Sequence, residues 1–115
     1  MKIVLILGIL CSTLTMNAQQ SLNGIWNTGK ENTKIEISEV DGVLEGKIFS
    51  SDNPNVKIGK VLLKDIKSVK GEWQGKLFAA KKEKWMDTVI KENGNQLLIT
   101  VKAGIMRKTL EWTKE

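Results

Sequence analysis

The sequence predicts an all-β fold, a single antiparallel up-and-down meander of about eight strands closed into a small β-barrel. Three observations carry this expectation. Short runs holding β-branched or aromatic residues recur from residue 23 onward, broken roughly every eight to twelve positions by Gly, Asn, Asp or Lys clusters. Within several of these runs apolar and polar residues alternate, the period of a strand with one buried face. A large aromatic, Trp26, stands near the start of the predicted domain, where a chain end ordinarily has little to pack against, so it needs a neighbour from elsewhere in the fold.

The first twenty residues, MKIVLILGILCSTLTMNAQQ, hold Lys2, an apolar run over 3–10, a more polar stretch and Ala18. This is the pattern of a secretory signal peptide over residues 1–18, with cleavage after Ala18 even though Met16 is large for the minus-three position. The run is about half the twenty apolar residues that a membrane span needs. Cys11 follows Leu10, which is too bulky for the small residue expected before a lipid-attachment cysteine. An exported chain follows, periplasmic or secreted, with one barrel domain over 19–115. Removing residues 1–18 leaves 97 residues of formal charge +4, because Lys2 departs together with the only cysteine. A chain of that size builds one core without disulfides.

The predicted strands are 24–28, 33–40, 43–50, 57–66, 70–79, 85–92, 96–103 and 106–114. In TKIEIS, Ile35 and Ile37 share one face and Lys34 and Glu36 the other; Asp41-Gly42 then marks a hairpin, and VLEGKI returns with Leu44, Gly46 and Ile48 together. GEWQGKLFA places Trp73, Gly75, Leu77 and Ala79 on one face. After the ENGNQ turn, Leu97, Ile99 and Val101 align, and in the final segment Leu110 and Trp112 do. Pro54 lies in the polar loop SSDNPNVK, where a missing N–H is harmless. The stretch 57–70 is ambiguous: apolar residues at 58, 61, 62, 66 and 69 fit a helical stripe about as well as a strand, and Gly59 with the β-branched residues favours a strand followed by a turn. An open meander would leave two bare edges, and closure removes them. Closure also makes the first and last strands neighbours, so Trp26 packs across the seam, Trp112 sits inside, and the stem of Arg107, Lys108 or Lys114 covers an indole face.

Composition removes many chemistries. The chain has no histidine and no tyrosine, and the predicted mature chain no cysteine. Ser-His-Asp and Cys-His machinery, imidazole metal sites and thiolate ligands are therefore excluded, and no Gly-rich phosphate-binding motif occurs, so no cofactor is expected. The basic excess is dispersed lysine with Arg107 the sole arginine, a pattern of solubility rather than of nucleic-acid reading, and one compatible with weak attraction to anionic glycans or lipid head groups.

GIW near the predicted mature start, DGVLEGKI, GEWQGKLF and the ending KTLEWTK resemble, in order and spacing, the blocks of the exported bacterial domain-of-unknown-function family 2147. The most specific block is the ending, carried here by Lys108, Thr109, Trp112, Thr113 and Lys114. The resemblance spans nearly the whole predicted mature chain and implies a small calycin-like, lipocalin-type β-barrel of unassigned activity. Gly24-x-Trp26 is also similar to the lipocalin opening motif. The family usually carries an Asp-Pro turn after its W-x-G block, whereas this chain has Ala79-Ala80-Lys81-Lys82, so no role of that acidic turn transfers.

The surviving catalytic route is a carboxylate pair, either Glu36 with Glu45 or Glu72 with Asp87. Glu36 and Glu45 alternate with apolar residues and are expected to face water. Asp87 depends on the phase of its strand: with Met86, Thr88 and Ile90 inward it is exposed, and with Trp85 and Val89 inward it is a buried site candidate; the first phase buries the more regular set. AKKEKW reads as a solvated hairpin tip or an anion-binding loop. Gly24, Trp26, Trp73, Gly75 and Trp112 are expected to form the closure and core, and Trp85 and Asp87 are the candidates for ligand contact. These readings converge on a non-enzymatic exported barrel that binds a small apolar or amphipathic ligand or an envelope glycan or lipid. The rival is a filled barrel acting through its surface on a protein or glycan. A carboxylate-dependent hydrolase is third.

Overall fold

Alternation and turn chemistry decide the architecture together. In a computed structural model describing residues 22–115, Asp41 and Gly42 both take positive φ, 53° and 88°, the twist that a two-residue hairpin requires. They join β2 (Lys34–Val40) to β3 (Val43–Ser50), preceded by β1 (Gly24–Asn27) and followed by β4 (Val61–Val69), β5 (Glu72–Ala79), β6 (Lys84–Asn93), β7 (Gln96–Ala103) and β8 (Met106–Lys114). Each strand pairs antiparallel with the next, and β8 returns to β1, so the sheet is a closed eight-stranded barrel. The signal-peptide reading of residues 1–18 and the cleavage near Ala18 lie outside the described residues.

The seam is short and reinforced. β1 and β8 share two register pairs, Trp26 with Lys114 and Asn27 with Thr113. The Glu115 N–H donates to the Ile25 carbonyl at 2.9 Å, and the Asn27 amide donates to the Glu115 carboxylate at 3.0 Å. Lys34 of β2 reaches the same carboxylate at 3.2 Å. A few residues thus tie the first and last strands to the second.

The expected inward faces are observed: Ile35 and Ile37, Leu44, Gly46 and Ile48, Leu97 and Ile99, and Leu110 and Trp112 all lie in or against the core. Leu22 and Trp26 are fully buried, and the Trp26 indole N–H donates to the Leu22 carbonyl at 3.0 Å, satisfying its one polar atom.

The ambiguous stretch is a strand, but β4 begins at Val61 and ends at Val69 instead of covering 57–66. Its buried residues, Leu63 and Ile66, are three apart. The pairing with β5 shifts register between Lys64 and Lys67, so Asp65 and Ile66 together face Gly75. This bulge turns a period of two into a spacing of three locally, which is why the stretch imitates a helical stripe. Asp65 absorbs the distortion at φ 53°, a region aspartate tolerates better than most residues.

Candidate functional site

The meander sorts its connections between two ends. Segments 28–33, 51–60, 80–83 and 104–105 meet at one end, and the turns 41–42, 70–71 and 94–95 lie at the other, beside both described chain ends. The first end opens into the lumen. There a cavity of about 490 Å³ is walled by Leu77, Ala79, Met86, Val101, Ala103 and Leu110, with Met106 at its edge. All six wall residues occupy the inward phase of β5, β6, β7 or β8.

Aromatic placement explains why this end is open. Of four tryptophans and two phenylalanines, Trp26 and Trp112 are buried in the lumen and Trp73 is half-buried against the core. Phe78 and Trp85 take the outward phase and pack edge to face, with centroids 5.3 Å apart, while Phe49 projects at the register shift of β2 against β3. Half of the large rings are therefore spent outside the barrel.

The mouth is rimmed by Lys30, Lys81, Lys82, Arg107 and Lys108, and among the described residues no carboxylate lines it. Lys108 comes from the inward face of β8, in phase with Leu110 and Trp112. No ion pair among the described residues engages any of the five. One pair deeper than Met86 along β6, Thr88 is 2 % exposed, and its hydroxyl has no hydrogen-bond partner among the described residues. Thr88 is opposite Gly75 and Val101, so the unpaired hydroxyl lies beneath the mouth.

The predicted site residues divide between these regions. Gly24, Trp26, Trp73, Gly75 and Trp112 are at the seam or in the core. Lys114 covers the Trp26 indole, with its Nζ 4.8 Å from the ring centroid, whereas Arg107 and Lys108, the other stems considered for that position, stand at the mouth. Trp85 is outward and half-buried beneath the Lys64 ammonium at 4.2 Å. Lys60 covers neighbouring Phe78 at 4.5 Å, completing an outer cluster of two rings and two cations. The AKKEK part of AKKEKW is exposed, and its Lys81 and Lys82 also border the cavity.

Asp87 is exposed, as expected from inward Met86, Thr88 and Ile90. It accepts a 2.7 Å hydrogen bond from the Lys76 ammonium. That bond, then the Lys76 charge, holds the Asp87 carboxyl below its ordinary value and raises the Lys76 ammonium above its own. Neither group is tuned to exchange a proton near neutrality. The two candidate carboxylate pairs do not converge in a cleft. Glu72 stands four positions from Lys76, the register partner of Asp87, so it is displaced by roughly 13 Å along the sheet. Glu36 and Glu45 are diagonal neighbours on the outer face, and Glu45 lies 3.7 Å from Lys47. No group of three or more potential metal-ligating side chains is found among the described residues.

The rim escaped the sequence reading because its cations come from two connections and one strand separated by up to 78 positions. The legible signal was Lys108, a lysine in the same phase as Leu110 and Trp112. Comparison of the chain with family models, curated proteins and solved structures returns no match.

Proposed function

We propose that this protein is an exported, non-enzymatic barrel, of the kind that its resemblance to family 2147 implies, which binds a small apolar or amphipathic molecule at its mouth. The observation carrying this reading is the one-sided filling of the lumen. Trp26 and Trp112 occupy the interior, while Leu77, Met86, Val101 and Leu110 surround about 490 Å³ of open space. Small-molecule sites of about 300–1,000 Å³ walled mainly by apolar groups are the usual size. Each methylene buried there contributes about 0.8 kcal/mol, and the lysine rim leaves a polar end of the ligand in water. Export rests on the charged and apolar start of the sequence and its Ala18 cleavage position.

A second reading has one observation of its own. The outer Phe78–Trp85 pair with Lys60 and Lys64 is an aromatic and cationic surface of the sort a glycan or protein partner could meet, without any ligand in the lumen.

Two measurements test the mouth. Native mass spectrometry of protein purified from its own organism should show a retained adduct. Anilinonaphthalene sulfonate should brighten on binding the wild type, and Ala103→Trp, which fills the cavity, should weaken that binding at least tenfold while the far-ultraviolet β spectrum persists. A clean apo mass together with equal dye binding by Ala103→Trp would overturn the reading and favour the outer surface.

A further inference from the structure

The apolar side chains left in water are not scattered evenly. Ile105 is 101 % exposed and Met106 70 %, both at the tip of the β7–β8 hairpin, while Ile58 is 62 % exposed in segment 51–60 and Phe49 49 % just before it. All four belong to the open end. At the opposite end the comparable residues, Val40 and Val69, are only 37 % and 38 % exposed.

Charge follows the same polarity. The connections of the open end carry Lys30, Lys57, Lys60, Lys81 and Lys82 against Glu31, Asp52 and Glu83, and Arg107 and Lys108 stand beside them. The other end has Asp41 and Lys70 in its turns, flanked by Glu39, Glu72 and Glu92, with Lys114 and Glu115 completing it. The barrel therefore presents protruding apolar tips within a cationic ring at one end and a more acidic opposite end.

We infer that the mouth end docks on an anionic membrane surface, with Ile105 and Met106 entering the headgroup boundary and the surrounding lysines and Arg107 meeting lipid phosphates. A protein interface of ordinary size needs about 800 Å² from each partner with a contiguous apolar centre. Two separate tips on different connections do not supply that. A lipid surface imposes no such demand, because it deforms around each tip and attracts every cation near it. A net field of one sign at one end also orients the barrel before contact. Docking is independent of a ligand in the cavity, so Ala103→Trp should leave it in place even if dye binding is abolished.

The test is co-sedimentation of the protein, recovered from its own cells, with vesicles of phosphatidylcholine alone and of phosphatidylcholine mixed with an equal part of phosphatidylglycerol. The expected result is binding to the mixed vesicles only, weakened by added salt. Lys81→Gln and Lys82→Gln should each reduce it about fivefold. Ile105→Asn, which touches an exposed tip and should not shift the melting temperature, should reduce it about tenfold. Lys67→Gln with Lys70→Gln, distant from the mouth, should change it little. Absence of binding to the mixed vesicles would overturn the proposal. So would an equal loss from the Lys67 and Lys70 substitutions, which would mean only a net-charge effect, or unchanged binding by Ile105→Asn. Capture of an acidic protein through Ile105 without vesicle binding would assign the tips to a protein partner and equally overturn it.

Discussion

The Lys114 ammonium lies 4.8 Å from the centroid of the Trp26 indole, and the same Nζ donates to the Asn23 carbonyl at 3.0 Å. One residue from the last strand thus covers the first strand's only large ring and ties down the chain that enters it. This contact secures the short edge where the barrel closes.

Removing the charge should loosen that edge without emptying the core. Lys114→Met retains much of the stem and forfeits a cation–π contact of about 1 kcal/mol, so the melting temperature should fall by about 4–8 °C. Trp26→Ala opens a cavity instead and should cost about 3–5 kcal/mol, enough to leave much of the protein unfolded. Gly24 has φ 135°, and a Cβ there would stand 2.7 Å from the Lys114 Nζ. Gly24→Ala should therefore strain the backbone and displace Lys114, making its effect non-additive with Lys114→Met in a thermal double-mutant cycle.

The β4 bulge depends on a missing side chain opposite it. A Cβ on Gly75 would meet Ile66 Cγ1 at 2.9 Å and the Lys64 carbonyl oxygen at 3.1 Å, the latter being backbone that cannot turn aside. Gly75→Ala should destabilise by about 1–3 kcal/mol. At Gly46 the nearest atoms are Ile35 Cγ2 at 3.1 Å and Leu63 Cβ at 3.2 Å; the first can turn aside, and no contact is as short as the one at Gly75. Gly46→Ala should therefore cost less, an order that parallel urea titrations would check.

Thr88 offers a stabilising change. Its buried hydroxyl has no partner among the described residues, and burying such a group costs about 1–3 kcal/mol. Thr88→Val keeps the branched shape among Met86, Ile90 and Val101 and removes the orphan oxygen. The melting temperature should rise, and a fall would mean that the hydroxyl is satisfied by water in solution.

Much of the fold is legible because neighbouring residues determine it. Asp41-Gly42 and the alternation on either side of it fix a hairpin from a dozen consecutive positions, and the phase that puts Met86, Thr88 and Ile90 inside is visible in their own strand. β4 is harder, since its bulge is specified by Gly75 on another strand and distorts the period by which a strand is recognised. The mouth is harder again. Lys30, Lys81 and Arg107 have no local relation; the meander puts them toward one end, and only closure of the sheet gathers them around a single opening. Trp85 has the composition of a binding residue in sequence, yet the odd phase of β6 sends it outward to Phe78 and Lys64.

Acid should release the seam through Glu115. The Asn27 amide, then Lys34, holds its carboxyl below the ordinary value of 4.5, so the folded state favours the ionised form. A depressed folded value contributes stability that is fully present above the unfolded value and disappears as pH falls through the folded one. Glu115→Gln should therefore melt earlier than the wild type near neutrality, and the gap should narrow progressively below about pH 4.5. The Lys76–Asp87 pair titrates in the same sense on its acid side, but it bridges β5 and β6, which are already joined by seven register pairs. The seam has two pairs, so loss of the Glu115 contacts should raise amide exchange selectively at Trp26, Asn27 and Thr113. Uniform acceleration across all eight strands would instead show that closure and the rest of the barrel open as one unit.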